Sequence, residues 1–133
     1  MGKRILFVDE DAGFRRVFTH AIREALVDEG VGDAFVEAGS LAEAHSRLRE
    51  GGLDAALIDV TMPDGNGLGL IGEIRDGGVG SPIPTIVLTA RLDASVAVEA
   101  LDAGARGALS KLAPMREAMD AIRRLTDAGS SEE

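Results

Sequence analysis

Two rhythms of apolar and polar positions take turns along the chain. Short, almost continuous apolar runs occupy Arg4 to Val8, Ala34 to Glu37, Ala55 to Val60, Thr85 to Leu88 and Ala108 to Ser110. Runs of that length without in-out alternation suit parallel strands covered on both faces. Between them the apolar residues recur at helical spacing. The clearest stripe is Phe14, Val17, Phe18, Ala21, Ile22, Ala25 and Leu26, at intervals of three and four residues. Ser40 with Glu43 forms an S-x-x-E capping box ahead of Leu41, Ala44 and Leu48, and Gly51-Gly52 stops that helix. A third helix carries Leu68, Ile71 and Ile74. A fourth carries Val96, Ala97, Ala100 and Leu101 between Asp93 as N-cap and Gly104 as stop. Pro114 suits the first turn of a fifth, which bears Met115, Ala118, Met119, Ile122 and Leu125.

Strict strand-helix alternation implies an α/β domain: a doubly wound, five-stranded parallel sheet with right-handed crossovers and helices on both faces. One domain is expected over residues 1–125, with 126–133 as a flexible polar tail. The stretch from Met1 to Val8 has too short an apolar run for a signal peptide and reads as a strand. No apolar stretch approaches membrane-spanning length.

Composition narrows the function. The chain has 14 Lys plus Arg against 23 Asp plus Glu, a net charge of −9, which opposes direct binding to a nucleic-acid backbone. With no cysteine there is no disulfide, thiolate metal site or thiol nucleophile, in keeping with a cytoplasmic location. Trp and Tyr are absent, and the four Phe (Phe7, Phe14, Phe18 and Phe35) all lie in the first third, so stacking of bases or flavin rings is poorly served.

The chemistry-bearing residues collect at strand ends. Asp9 and Glu10 close the first strand, Asp59 the third, Thr89 the fourth and Lys111 the fifth. Open parallel sheets bind ligands outside the carboxyl ends of their strands, where the strand order reverses. If the order is 2-1-3-4-5, three carboxylates converge there and repel one another unless a cation sits among them. Mg²⁺ fits, because it prefers oxygen ligands and is held by one or two carboxylates plus a phosphate. Helix capping is a sufficient account of Asp11. It does not account for Asp59, an acid inside the apolar run Leu57-Ile58-Asp59-Val60, where an unpaired charge is costly.

Taken together and in order, these pieces carry a family resemblance. They are the pair Asp9-Glu10, Asp59 followed by Met62-Pro63 and Gly67, Thr89-Ala90, and Ala103-Gly104-Ala105 leading to Lys111. From Arg4 to Leu125 the chain resembles a response-regulator receiver domain of two-component systems, with the flavodoxin-like receiver fold. The residues from Gly104 to Gly107 and from Ser110 to Pro114 resemble receivers of LuxR-type transcription factors. The resemblance implies Asp59 as phosphoacceptor and Asp9, Glu10, Asp59 and the Thr61 backbone carbonyl as the Mg²⁺ site. It implies Thr89 as the hydroxyl that meets the phosphoryl group and Lys111 as its ionic partner. It also implies a sensor histidine kinase or phosphotransfer protein as donor, with self-phosphorylation and self-dephosphorylation in a switch rather than an enzyme. A weak homodimer and a DNA-binding effector domain beyond this chain are compatible with it.

Three positions depart from the family pattern. Asn66 stands where an aspartate is usual, Leu112 where a proline is frequent, and Ala108 where most receivers carry the Tyr or Phe whose rotation follows the threonine. Asn66 and Ala108 keep open a degenerate receiver that acts as a scaffold without phosphorylation. An aspartyl-phosphate phosphatase of the dehalogenase-like kind would want Asp-x-Asp, and the third residue here is Thr61. The G-x-G-x-x-G match at Gly67 to Gly72 begins too far beyond its strand for dinucleotide binding. A flavodoxin-like electron carrier lacks its phosphate loop. His20 lies off the apolar stripe, as a solvated surface residue would.

Overall fold

The computed structural model describes residues 3–29 and 35–130, with side chains as far as Thr126. Ala34, expected to open the second strand, and residues 131–133 of the expected tail lie outside the described residues. Five strands form the sheet: β1 (Ile5–Val8), β2 (Phe35–Ala38), β3 (Ala55–Asp59), β4 (Thr85–Thr89) and β5 (Ala108–Ser110). All neighbours pair in parallel, as the alternation predicts, and the order is β2-β1-β3-β4-β5, the order on which convergence of the acids depended. Five helices connect and cover them: α1 (Ala12–Ala25), α2 (Leu41–Glu50), α3 (Gly67–Arg75), α4 (Ala94–Ala103) and α5 (Met115–Ser130).

The continuous apolar strands feed two cores, because successive side chains point to opposite faces. Ile5, Phe7, Ala55, Leu57, Ile86, Leu88 and Leu109 join Phe18 and Ile22 of α1, Leu26 just after it, and Ala118, Ile122 and Leu125 of α5 on one side. Leu6, Val8, Ala56, Ile58 and Val87 join residues of α2, α3 and α4 on the other. Fully buried Ile22, Leu57 and Ile58 each contribute about 1.5–3 kcal/mol through burial.

The caps follow the sequence. Asp11, Ser40, Asn66 and Asp93 each accept a backbone N–H at the start of α1, α2, α3 and α4. The box around α2 differs in one detail: Glu43 accepts from Gly39 N at 2.8 Å rather than from the N-cap residue. Gly104 ends α4 with φ 117°, the left-handed region that favours glycine.

Three expectations need correction. On α1, Val17 is 69% exposed and Ala25 is also exposed, as is Leu101 of α4 at 57%. The stripes are narrower than their spacing suggests, because each helix meets only the sheet and its immediate neighbours. Pro114 precedes α5 and its carbonyl accepts from Glu117 and Ala118, so it caps the helix from outside the first turn. Finally, α5 runs to Ser130, five residues past the expected end at Leu125. Thr126 is buried and its hydroxyl donates to the Ile122 carbonyl at 3.0 Å, which keeps a polar residue inside the helix.

Candidate functional site

The β-strand pleat decides what meets at the carboxyl edge of the sheet. Asp9 directly follows β1, and its N–H extends the ladder by donating to Ala38 O at 3.0 Å. Asp59 is the last residue of β3. Lys111 follows β5 and donates its N–H to Thr89 O at 2.8 Å. Phe7, Leu57 and Leu109, each two residues earlier, belong to the core beneath α1 and α5. By the same period of two, Asp9, Asp59 and Lys111 point to that side.

There they form one charged cluster. Lys111 Nζ donates to Asp59 Oδ2 at 2.8 Å and lies 2.7 Å from Asp9 Oδ2. The Asp9 and Asp59 side chains are 0% and 8% exposed, and Lys111 is 18% exposed. Asp9 Oδ1 accepts from Asp11 N at 2.9 Å, and Asp59 Oδ1 accepts from Thr61 N at 3.2 Å. Burial by itself would lower the Lys111 pKa, but the carboxylates of Asp59 and Asp9 more than offset it and hold the ammonium above its ordinary value.

Asp9 Oδ2 is the unusual atom. It is buried and makes no hydrogen bond; the Lys111 ammonium beside it lies at ion-pair distance but off hydrogen-bond geometry. A buried carboxylate oxygen paired with an ammonium keeps lone-pair capacity for a hard cation, and the oxygen donors around it suit Mg²⁺. Glu10 is exposed just outside the cluster, and Thr61 stands at the rim in a two-residue antiparallel ladder, Thr61–Met62 with Gly65–Asn66. Among the described residues no three carboxylates or imidazoles stand together as a metal cage. The fit is therefore to an ion that keeps several waters and takes few protein ligands.

Thr89 ends β4 and is buried at 8% exposure. Its hydroxyl accepts from Arg91 N at 3.2 Å and faces the Arg91 carbonyl at 3.4 Å. Its strand partners put it on the other side of the sheet: Val87, two residues earlier, packs toward α2, α3 and α4, as does Ala108 of β5. Val87 and Ala108 are also in register.

Several supporting residues escaped the sequence reading. Arg15 hydrogen-bonds the Asp9 carbonyl and pairs with Glu37 at 2.8 Å, which fixes the end of β1 from α1. Asp64 accepts from Leu41 N and Ala42 N at 2.9 and 3.1 Å, so the loop after Asp59 also caps α2. His45 pairs with Glu73 at 2.7 Å across α2 and α3. Gly67 was expected only as a matched position, yet a Cβ on it would fall 2.0 Å from the Asp59 carbonyl oxygen. The Gly67 to Gly72 match lies within α3, with Leu70 and Ile71 in the core, so it is a packed helix start rather than a dinucleotide loop.

A doubly wound parallel sheet here gathers two acids and a lysine at its carboxyl edge, where such sheets bind their ligands. The sequence matches the family described as "Response regulator receiver domain" over residues 5–123. The chain belongs to this family and is a phosphorelay receiver domain. It is 34% identical over 125 residues to Response regulator MprA of Mycobacterium tuberculosis (strain ATCC 25618 / H37Rv), covering 94% of this chain and 51% of that protein. It is 36% identical over 107 residues to the KDP operon transcriptional regulatory protein KdpE of Escherichia coli (strain K12), covering 80% and 44%. The chain thus spans about half the length of these curated relatives. A CheY-like response regulator receiver domain protein from Methanospirillum hungatei JF-1 superposes with TM-score 0.80 at 26% identity over 100% of both chains. Vibrio cholerae CheY4 shares the fold, with TM-score 0.79 at 22% identity, covering 94% of this chain and 99% of that one. No helix among the described residues is long and apolar enough to cross a membrane.

Proposed function

We propose that Asp59 accepts a phosphoryl group from a phosphohistidine of a partner histidine kinase. The observation that carries this reading is the Asp9–Lys111–Asp59 cluster, in which a nearly buried carboxylate is held by an ammonium at 2.8 Å. Phosphoryl transfer asks for positioning and charge neutralisation rather than covalent help from the protein. A carboxylate oxygen of Asp59 attacks phosphorus in line with the P–N bond. That bond breaks, its electron pair returns to the donor imidazole, and the product is an acyl phosphate on Asp59.

Lys111 is placed to exchange Asp59 Oδ2 for a phosphoryl oxygen. The Thr89 hydroxyl would leave the Arg91 backbone to donate to another. Asp9, Glu10, Asp59 and the Thr61 carbonyl would hold Mg²⁺. When bound, that ion offsets the charge of the phosphoryl oxygens and the flanking acids. Hydrolysis of the acyl phosphate by water would reset the domain, so the chain works as a switch with slow self-phosphorylation and self-dephosphorylation. A transcriptional output is supported by the name of KdpE and would be delivered outside the residues described.

Incubation with acetyl phosphate and Mg²⁺, followed by intact mass, tests the reading. One added phosphoryl group is expected, and Asp59→Asn is expected to abolish it. No gain in the wild-type chain would favour a scaffold that works without phosphorylation. Rapid turnover of unrelated phosphate esters would favour a phosphatase.

A further inference from the structure

We propose that Phe14 is the aromatic partner of Lys111 and carries the state of Asp59 to the face formed by α1 and α5. This inference rests on Asp59 being the phosphoacceptor. Lys111 Nζ lies over the Phe14 ring, 5.0 Å from its centroid, inside the roughly 6 Å range of cation–π attraction. The ammonium is thus held by two carboxylates and one ring. A phosphoryl group on Asp59 adds negative charge beyond the carboxylates and draws the ammonium outward, toward its oxygens. The hold on the ring falls as that distance grows.

Phe14 is coupled to what lies behind it. Its ring stacks on Phe18 at 5.7 Å and meets Phe7 edge-on at 6.2 Å, while Phe7 and Phe18 are 5.2 Å apart. Phe18 lies within the core that α1 shares with α5. Beside the rings is a cavity of about 170 Å³ lined by Phe14, Val17, Phe18, Lys111, Met115 and Ala118. The ring therefore has room to reorient, and a packed core responds to such a move by stepping between arrangements rather than by stretching. Val17 and Met115, 69% and 39% exposed, stand at the mouth of this cavity where the change would be felt from outside. On the other side of the sheet Ala108 offers no ring to turn.

The test uses the full chain with Mg²⁺ and beryllofluoride as phosphoryl mimic, read by NMR. In the wild type, the ε-methylene protons of Lys111 should start upfield from the Phe14 ring current and move back toward ordinary lysine values. Shift changes should also reach Val17, Met115 and Ala118. Phe14→Leu keeps apolar bulk but removes the ring, and the response at Met115 and Ala118 should fall by roughly twofold or more, the lower edge for residues on a coupling route. Phe14→Tyr should restore it, which a purely space-filling role would not require. An unmoved Lys111 methylene in the wild type, or equal responses in wild type and Phe14→Leu, overturns the inference while phosphorylation of Asp59 stands. If acetyl phosphate adds no phosphoryl group to the wild-type chain, the reading of Asp59 fails and the inference falls with it.

Discussion

On the α1–α5 side of the sheet, the charged cluster rests directly against an aromatic group: Lys111 touches Asp9, Asp59 and the Phe14 ring. On the α4 side, Thr89 and Ala108 lie behind the same edge with small side chains, and Leu101 and Val98 of α4 are more than half exposed. Both sides lie at the sheet edge that carries Asp59, yet only the first is linked to it by a charge whose position a phosphoryl group there would change. The pleat assigns the sides. Residues 9, 59 and 111 fall on one parity of their strands, and residues 89 and 108 on the other.

Lys111→Met should have the largest effect. It leaves two buried carboxylates facing each other without their shared cation, so phosphoryl uptake should slow. Unfolding free energy should drop by on the order of 2–3 kcal/mol, below the about 3–5 kcal/mol for breaking a fully buried pair, because Lys111 is partly exposed. The pH dependence has a definite sign. The Lys111 pKa is raised above 10.5, so the folded chain holds this proton more tightly than the unfolded one. Its contribution is complete below that ordinary value and is lost as pH climbs through the raised one. The margin of wild type over Lys111→Met in urea denaturation should be flat from about pH 7 to about pH 9 and shrink above about 10.5. Mg²⁺ should recover more stability in the variant, where Asp9 Oδ2 no longer has the ammonium as its neighbour. Equal recovery in both chains would argue against Asp9 as a cation ligand.

Gly67→Ala should come next, since it strains the ground common to both sides. Its Cβ would fall 2.0 Å from the Asp59 carbonyl oxygen and 2.9 Å from Ile58 Cγ2. Relief requires the start of α3 or the end of β3 to move, at about 1–3 kcal/mol for overpacking. Thermal unfolding measures the cost, and phosphoryl uptake from acetyl phosphate should drop with it. An unchanged uptake rate would show that Asp59 tolerates displacement of its own backbone.

Parallel strands, helix order and three N-caps were legible, because buried parallel strands, helical stripes and Asx or Ser caps each leave a local mark. Asp59 was legible for a similar reason, as one acid in an apolar run. What escaped was contact between distant parts of the chain. Phe14 read only as one member of a stripe, and nothing near residue 14 announces a lysine from the end of β5. Asp64 carries no local mark of its role, because it caps α2 rather than a helix of its own. The exposure of Val17 and Leu101 was hidden because periodicity gives the direction of an apolar face but not the width of what covers it. Asn66 shows the converse: a departure from the family pattern that costs little, since its side chain still caps α3 through Leu68 N at 2.7 Å.

Ala108→Phe should have the smallest effect on stability and is the most informative for the comparison. Ala108 is half-buried against the α4-side core, in register with Val87 and on the side of Thr89. A ring there can lie partly in solvent, so the change in unfolding free energy should stay within about 1 kcal/mol. Its effect on the response to beryllofluoride should be larger. If Thr89 moves toward the phosphoryl oxygens, it vacates space on the α4 side that a ring at 108 can follow into, whereas a methyl group gains little by moving. Amide shifts at Val98 and Leu101 should then become responsive, with those at Val17 and Met115 unchanged. The two branches would add independently if the side chains on opposite faces of the sheet respond without coupling through the edge they share. A strong response on α4 already present with Ala108 would mean that the α4 side does not need a ring. The contrast between the two sides would then lie in some other element.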